Sequence, residues 1–293
     1  MHLITFEESN NRRIGVLDVH QNEVVDLSSA APGLPGDMLS LISAGEDVLE
    51  AVSDAIASGK GRLPLSEVYL LAPIPCPVRN IFCIGKNYRD HVNEVQSVLQ
   101  AADDGVPKLP IIFTKATTSV IGPGETIPAS LDPTDSADYE GELAVVIGNG
   151  GRGIQGDKAL DHIFGYTIIN DVTSRRMQKR HQQWFLGKSL DGFCPMGPSM
   201  VTKDEITDVT QLRVQTHLNG ELRQDGLVAQ MIFDIPSLIE ALSRTMTLLP
   251  GDIIATGTPA GVGMGFKPAR FLKSGDRVAI TIQPIGTLEN PVA

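Results

Sequence analysis

Apolar and polar residues alternate at the start of the chain. Leu3 to Phe6, Arg13 to Val19 and Glu23 to Leu27 each follow a two-residue period, which predicts short strands. Asn10-Asn11 and Gln21-Asn22 supply turn residues between them. The period then changes. From Asp37 to Ser58 the apolar positions Leu41, Ile42, Val48, Leu49, Val52 and Ile56 recur at helical spacing, and Gly45 divides them into two short helices. Ala72-Pro73-Ile74-Pro75-Cys76-Pro77 is extended and proline-rich, as a linker would be. The expected division is a small β-rich module with short helices over residues 1–72 and a main domain over 73–293.

Beyond the linker the pattern is mainly β. Strands are predicted at 80–84, 110–114, 142–147, 165–170, 212–218, 252–256 and 277–283. Asn219-Gly220 is a two-residue hairpin signal. One helix is expected near Lys158. Another begins near Ile235-Pro236-Ser237, with Leu238, Ile239, Leu242 and Met246 as its buried stripe. The polar stretch from Gly85 to Leu109 reads as a lid over a site.

Size and charge narrow the choices. With 293 residues and 42% apolar content the chain can bury a substantial core. A net charge of -11 speaks against a nucleic-acid or anionic-membrane surface. No stretch approaches the roughly 20 apolar residues of a membrane span, and no signal peptide is expected. Cys76, Cys83 and Cys194 are scattered, which predicts reduced thiols and a cytoplasmic protein.

Three carboxylates carry the most chemistry. Glu140 and Glu142 stand two apart at the head of the run Glu142 to Ile147, so a strand points both to one face. Asp171 ends the apolar run Tyr166 to Asn170. Converging acids repel one another unless cations or protons neutralise them, and all-oxygen ligation suits Mg²⁺, Mn²⁺ or Ca²⁺. His91 and Glu94 are three apart. On a helix they touch, giving an imidazole oriented by a carboxylate, able to act as a general base. Lys115 follows one apolar run, and Lys188 lies in the glycine- and aromatic-rich stretch Trp184 to Pro195. Either amine can bind a carboxylate or stabilise an oxyanion. Thr256-Gly257-Thr258-Pro259 lacks a P-loop pattern, but Thr258 offers hydroxyl and N–H donors.

Taken in order, these stretches resemble the fumarylacetoacetate hydrolase family from about Cys76 to the C-terminus. The landmarks are Gly85-Lys86-Asn87-Tyr88 with His91 and Glu94, the Lys115 stretch, and Glu140 with Glu142. After them come Asn170-Asp171-Val172 with Gln178, then Gly187-Lys188, then Thr256 to Pro259. The resemblance implies a mixed α+β, mainly β fold, a β-roll or distorted β-sandwich preceded by the small N-terminal module, and a homodimer. It implies Mg²⁺ or Mn²⁺ on Glu140, Glu142 and Asp171, with Ca²⁺ able to stand in within a crystal. It makes His91 and Glu94 a water-activating dyad on a lid, with Lys188 beside the reacting oxygen. Lys115, Arg175, Gln178 and Thr258 are the expected substrate contacts. Two departures stand out: many relatives carry an acid where Arg176 stands and proline where Ala116 stands. Arg176, near Arg175, Lys179 and Arg180, favours an acidic substrate.

The implied activity is hydrolysis of a C–C bond in a β-dicarbonyl 2-oxo acid, of acylpyruvate or fumarylpyruvate type, through a metal-bound enolate. The same chemistry serves a decarboxylase, an isomerase of a 2-oxo or 2-hydroxydienoic acid, or a sugar-acid lyase or dehydratase. A metal-dependent regulator that binds an acid is the non-enzymatic alternative. The expected partner is a small-molecule oxo acid, with neither nucleic acid nor membrane.

Overall fold

The computed structural model describes residues 1–99 and 105–293. The meander β1 (His2–Glu8), β2 (Asn11–Asp18) and β3 (Glu23–Asp26) reverses through Ser9, Asn10 and Asn22, all at positive φ. Asp26 caps α1 (Leu27–Ala30), accepting from the Ser28 N–H at 3.0 Å. The two helices expected on either side of Gly45 are α2 (Met38–Ser43) and α3 (Val48–Ala57), and Gly45 has φ 83°. β4 (Arg62–Pro64) and β5 (Tyr69–Leu71) return to β3 and β1.

The chain then forms β6 (Ile81–Gly85), α4 (Arg89–Leu99), β7 (Ile111–Lys115) and β8 (Val120–Ile121). Helix α4 occupies part of the expected lid, and residues 100–104 of that stretch lie outside the described residues. Next come β9 (Ala137–Asp138), β10 (Gly141–Ile147), β11 (Ile163–Asn170) and β12 (Thr173–Ser174). Two short helices, α5 (Arg175–Arg180) and α6 (Phe185–Lys188), precede β13 (Cys194–Thr202). The remainder is β14 (Arg213–Leu218), β15 (Glu221–Leu227), α7 (Ile235–Ser243), β16 (Ile253–Ala255), β17 (Arg277–Ile282) and β18 (Gly286–Pro291).

Among the described residues the main sheet has the order β4-β3-β2-β1-β13-β11-β10-β16-β6-β7, with β5 and β8 branching from it. A second sheet, β15-β14-β17-β18, packs beside it. Its hairpin turns at Asn219 and Gly220, with φ 53° and 81°, as the sequence signal requires. This is a mixed α+β fold dominated by one large sheet. Strand β10 lies at its centre and is buried on both faces. Leu143, Val145 and Ile147 pack with Val214, Ile280 and α7, while Ala144 and Val146 share a core with Leu3, Ile14 and Leu41. The side-chain period of β10 thus joins both cores and fixes where Glu142 points.

Three expectations change. The helix near Lys158 is a 3₁₀ stretch, Gly156–His162, in which Lys158 N–H bonds Gln155 O at 3.0 Å. Helix α7 ends at Ser243, so Met246 lies past it and packs on the core from outside the helix. Strand β13 was hidden by Pro195, Gly197 and Pro198. The ladder to β11 accommodates them by shifting register, so that Tyr166 faces Val201 while Ile168 faces Gly197. β13 also pairs with β1, which joins the N-terminal meander to the main sheet.

Candidate active site

The ends of β10 and β11 are pinned together where they carry their acids. Asp171 N–H donates to Glu140 O at 2.8 Å, and Glu140 N–H donates to the Asn170 side chain at 3.0 Å. Single carboxylate oxygens of Glu140, Glu142 and Asp171 consequently lie within 4.8 Å of one another, all buried. Gly257 N–H donates to Glu142 at 2.8 Å.

Cations surround this floor. Lys188 Nζ donates to Glu140 at 2.7 Å and to Asp171 at 2.6 Å. Arg175 donates to Glu140 at 2.5 Å and to Asp138 at 2.8 Å. Lys115 Nζ lies 2.8 Å from Asp171 Oδ1 but directs its hydrogens at the carbonyls of Val172 and Lys188. Burial works against the Lys188 charge, yet Asp171 and Glu140 overcome it and push the amine up to about 12. Burial would raise Glu140 too, but Lys188 and Arg175 outweigh it and hold that carboxyl below the usual range. Glu142 has no such cation bonded to it. Burial, then the charges of Asp171 and Glu140, push its carboxyl well above the usual range.

These residues fit a hard divalent cation. Among the described residues the buried Asp171 Oδ1 has the Lys115 ion pair at 2.8 Å but no hydrogen bond of good geometry, so it keeps lone-pair capacity for a cation. With Glu142 ionised, as a metal ligand must be, four carboxylates, counting Asp138, face the three cations Lys115, Lys188 and Arg175, which leaves one excess negative charge. A divalent ion reverses that to one excess positive charge, a setting for an anionic ligand.

The floor opens into a cavity of about 360 Å³, walled by His91, Gln178, Trp184 and Thr258 among others. His91 and Glu94 are on one face of α4, with Nδ1 3.3 Å from Glu94 Oε2. A carboxylate accepts, so Nδ1 carries the hydrogen and Nε2 is the basic nitrogen. Glu94 also accepts from Gly261 N–H at 3.0 Å, and a side chain at Gly265 would collide with it. Among the described residues Arg175 Nη2 is buried without a hydrogen-bond partner, and Arg175 and Gln178 both line the cavity.

Two expected contacts sit differently. Lys115 is fully buried behind the triad as an internal counter-ion and forms no part of the cavity wall. The Thr258 hydroxyl donates to Gly141 O at 2.9 Å and accepts from Gln224 at 2.7 Å, which leaves its backbone N–H for a ligand. Three supporting residues were overlooked. Asp138 flanks Glu140 in sequence and holds Arg175 while accepting from Gly263 and Met264 N–H. Asn87, inside the quoted landmark, ties the start of α4 to Phe233 and Thr256 through three hydrogen bonds. Gln224 reaches Gly141, Thr258 and Pro259 from the second sheet, and no local signal marks it.

Residues 80–293 match the family described as fumarylacetoacetate (FAA) hydrolase C-terminal. The chain belongs to the fumarylacetoacetate hydrolase family. It is 47% identical to oxaloacetate tautomerase YisK of Bacillus subtilis, over 100% of both proteins. Among solved structures it is 43% identical, with TM-score 0.85, to a fumarylacetoacetate hydrolase of psychrophilic Exiguobacterium antarcticum, covering 100% of this chain and 99% of that one. It is 30% identical, with TM-score 0.79 and the same coverage, to maleylpyruvate hydrolase of Sphingobium sp. SYK-6 in complex with manganese and pyruvate. That maleylpyruvate hydrolase holds manganese, and the buried acidic triad here is a group that could hold a metal ion. Among the described residues no helix is long and apolar enough to cross a membrane.

Proposed function

We propose that the protein is a divalent-metal-dependent tautomerase that interconverts the enol and keto forms of a small 2-oxo acid such as oxaloacetate. The observation that carries this reading is the pairing of a cation-ringed carboxylate floor with one oriented imidazole across a small cavity. Tautomerisation needs only those two parts. One proton leaves the enol hydroxyl and one joins the adjacent carbon, with no further co-reactant. The full-length similarity to a named oxaloacetate tautomerase supports the same reading.

Glu140, Glu142 and Asp171 would hold Mg²⁺ or Mn²⁺, which supplies Lewis-acid polarisation of the 2-oxo acid. The free Nη2 of Arg175 and the Gln178 amide bind the substrate's carboxylate and fix its orientation. His91 Nε2 gives or takes the proton at carbon, and Glu94 keeps the imidazole in the required tautomer. Lys188 stands at the oxygen end, where its ammonium favours negative charge on that oxygen.

Hydrolysis of a C–C bond is the second reading. The His91–Glu94 dyad favours it, because an oriented base can also deprotonate water, and two of the similar solved proteins are named hydrolases. One panel separates the two. Mn²⁺-loaded enzyme is given enol oxaloacetate, whose ultraviolet absorbance falls on ketonisation, and acylpyruvates, whose cleavage products are identified by NMR. Accelerated ketonisation without cleavage supports the tautomerase. Acylpyruvate cleavage with uncatalysed ketonisation replaces it with the hydrolase.

A further inference from the structure

Five cationic side chains border the cavity: Lys86, Arg175, Arg176, Lys179 and Lys188. Three are already engaged. Arg175 and Lys188 bond the floor carboxylates. Arg176 donates to Thr134 O and lies over the Phe271 ring, 5.8 Å from its centroid. Lys179 is exposed on α5, where water screens it. Among the described residues Lys86 is the half-buried cation on this wall with no hydrogen bond or ion pair.

Its backbone is also unusual. Lys86 has φ 56°, a left-handed conformation that disfavours any residue with a Cβ. Both neighbours are held in place. Gly85 lies so close under the Trp184 ring that no side chain fits there. Asn87 is fastened by its three hydrogen bonds. Glycine would relieve the conformation at position 86, yet a lysine stands there. A strained backbone between two fixed neighbours and a cavity-lining lysine with no partner among the described residues are independent observations with one explanation. The side chain has a partner, and that partner is the ligand.

We infer that Lys86 is the specificity residue of the site, binding a second acid group of the substrate while the floor and Arg175 hold the first. This deepens the proposed function and rests on it: Lys86 is the residue that makes the site prefer a dicarboxylic over a monocarboxylic 2-oxo acid. Charge-assisted pairing of this kind discriminates by about tenfold to a hundredfold.

Malate and lactate provide the test, since they share a 2-hydroxy acid head and differ in the second carboxylate. Calorimetric titration of the Mn²⁺-loaded protein should show malate bound at least about tenfold more tightly than lactate. Lys86→Met and Lys86→Gly should collapse that preference, and Lys86→Arg should retain most of it. Lys86→Gly should melt no lower than wild type, because it relieves the left-handed strain, so a role in folding alone cannot produce this combination. A malate preference that survives Lys86→Met overturns the inference. Loss of the preference in a protein that does not ketonise oxaloacetate retains the subsite and rejects the tautomerase reading instead.

Discussion

The floor of the cavity and the arm that carries His91 are held in opposite ways. On the floor, Glu140, Asp171, Lys188, Arg175 and Asp138 form a continuous buried ion-pair network that joins β9, α5 and α6 to the ends of β10 and β11. On the arm, among the described residues, His91 is hydrogen-bonded to Glu94 at 3.3 Å, and Glu94 to the backbone N–H of Gly261. The contrast separates two tasks. A cation site needs several charges fixed at once, and removing one strands the others. A proton shuttle needs one basic nitrogen aimed correctly, and few contacts suffice. The floor therefore couples stability to function, whereas the arm affects function almost alone.

Mutation of Lys188 probes the floor with the largest expected effect. Lys188→Met removes the ammonium shared by Glu140 and Asp171 and should lower the stability of the metal-free protein by about 3–5 kcal/mol. Mn²⁺ should restore part of that loss by replacing the missing positive charge, which thermal melts with and without the ion will show. An unchanged melting temperature in the metal-free variant would dissolve the contrast between floor and arm.

The counterpart on the arm is His91→Ala. It should cut turnover by roughly 10²- to 10⁴-fold, the usual size of general acid–base catalysis. Mn²⁺ affinity should change far less than turnover, because among the described residues the imidazole meets the triad only through its longer-range field on Glu140, with no hydrogen bond or ion pair to it. A parallel fall in metal affinity, read by calorimetry, would show that the two regions are one.

Hydrogen exchange sharpens the comparison further. The arm belongs to the polar stretch from Gly85 to Leu109, expected to close over bound ligand. With Mn²⁺ present, oxalate should slow exchange of α4 amides while those of β10 stay protected throughout. Equal change in both elements would contradict a mobile arm over a fixed floor.

The cysteines give the smallest effect. Burial pushes the Cys83 thiol well up and the Cys194 thiol up to about 12, and both lie near the floor. Cys76 is exposed. At pH 8 a disulfide reagent should therefore modify one thiol quickly and two only upon unfolding. Rapid labelling of all three in the folded protein would show that the floor opens.

Legibility in the sequence follows the same division. The triad could be proposed because a strand's two-residue period puts Glu140 and Glu142 on one face, and the ordered landmarks of the family resemblance added Asp171 to them as a metal site. Helical spacing let His91 and Glu94 touch, but an ordinary surface pair has the same spacing, and it took the ordered landmarks of the family resemblance to mark them as a dyad. What depends on distant pairing could not. Asp138 looks like a strand-end acid until Arg175 reaches it from 37 residues away. Gln224 acts from the second sheet and leaves no local trace. Lys115 carries the same chemistry in front of the triad or behind it, and only the packing of β7 against Val172 and Lys188 puts it behind. Strand β13 was missed because prolines and a glycine interrupt its alternation, although its register shift lets the sheet absorb them.

The central claim is that a metal-loaded floor and an imidazole arm together interconvert enol and keto acids. Its most direct measurement is the rate of oxaloacetate ketonisation by wild type and His91→Ala, each stripped of metal and then reloaded with Mn²⁺. The account predicts fast conversion by loaded wild type alone, with the stripped enzyme and both forms of the variant near the uncatalysed rate. Equal rates for stripped and loaded wild type, or a loaded His91→Ala as fast as wild type, would contradict it.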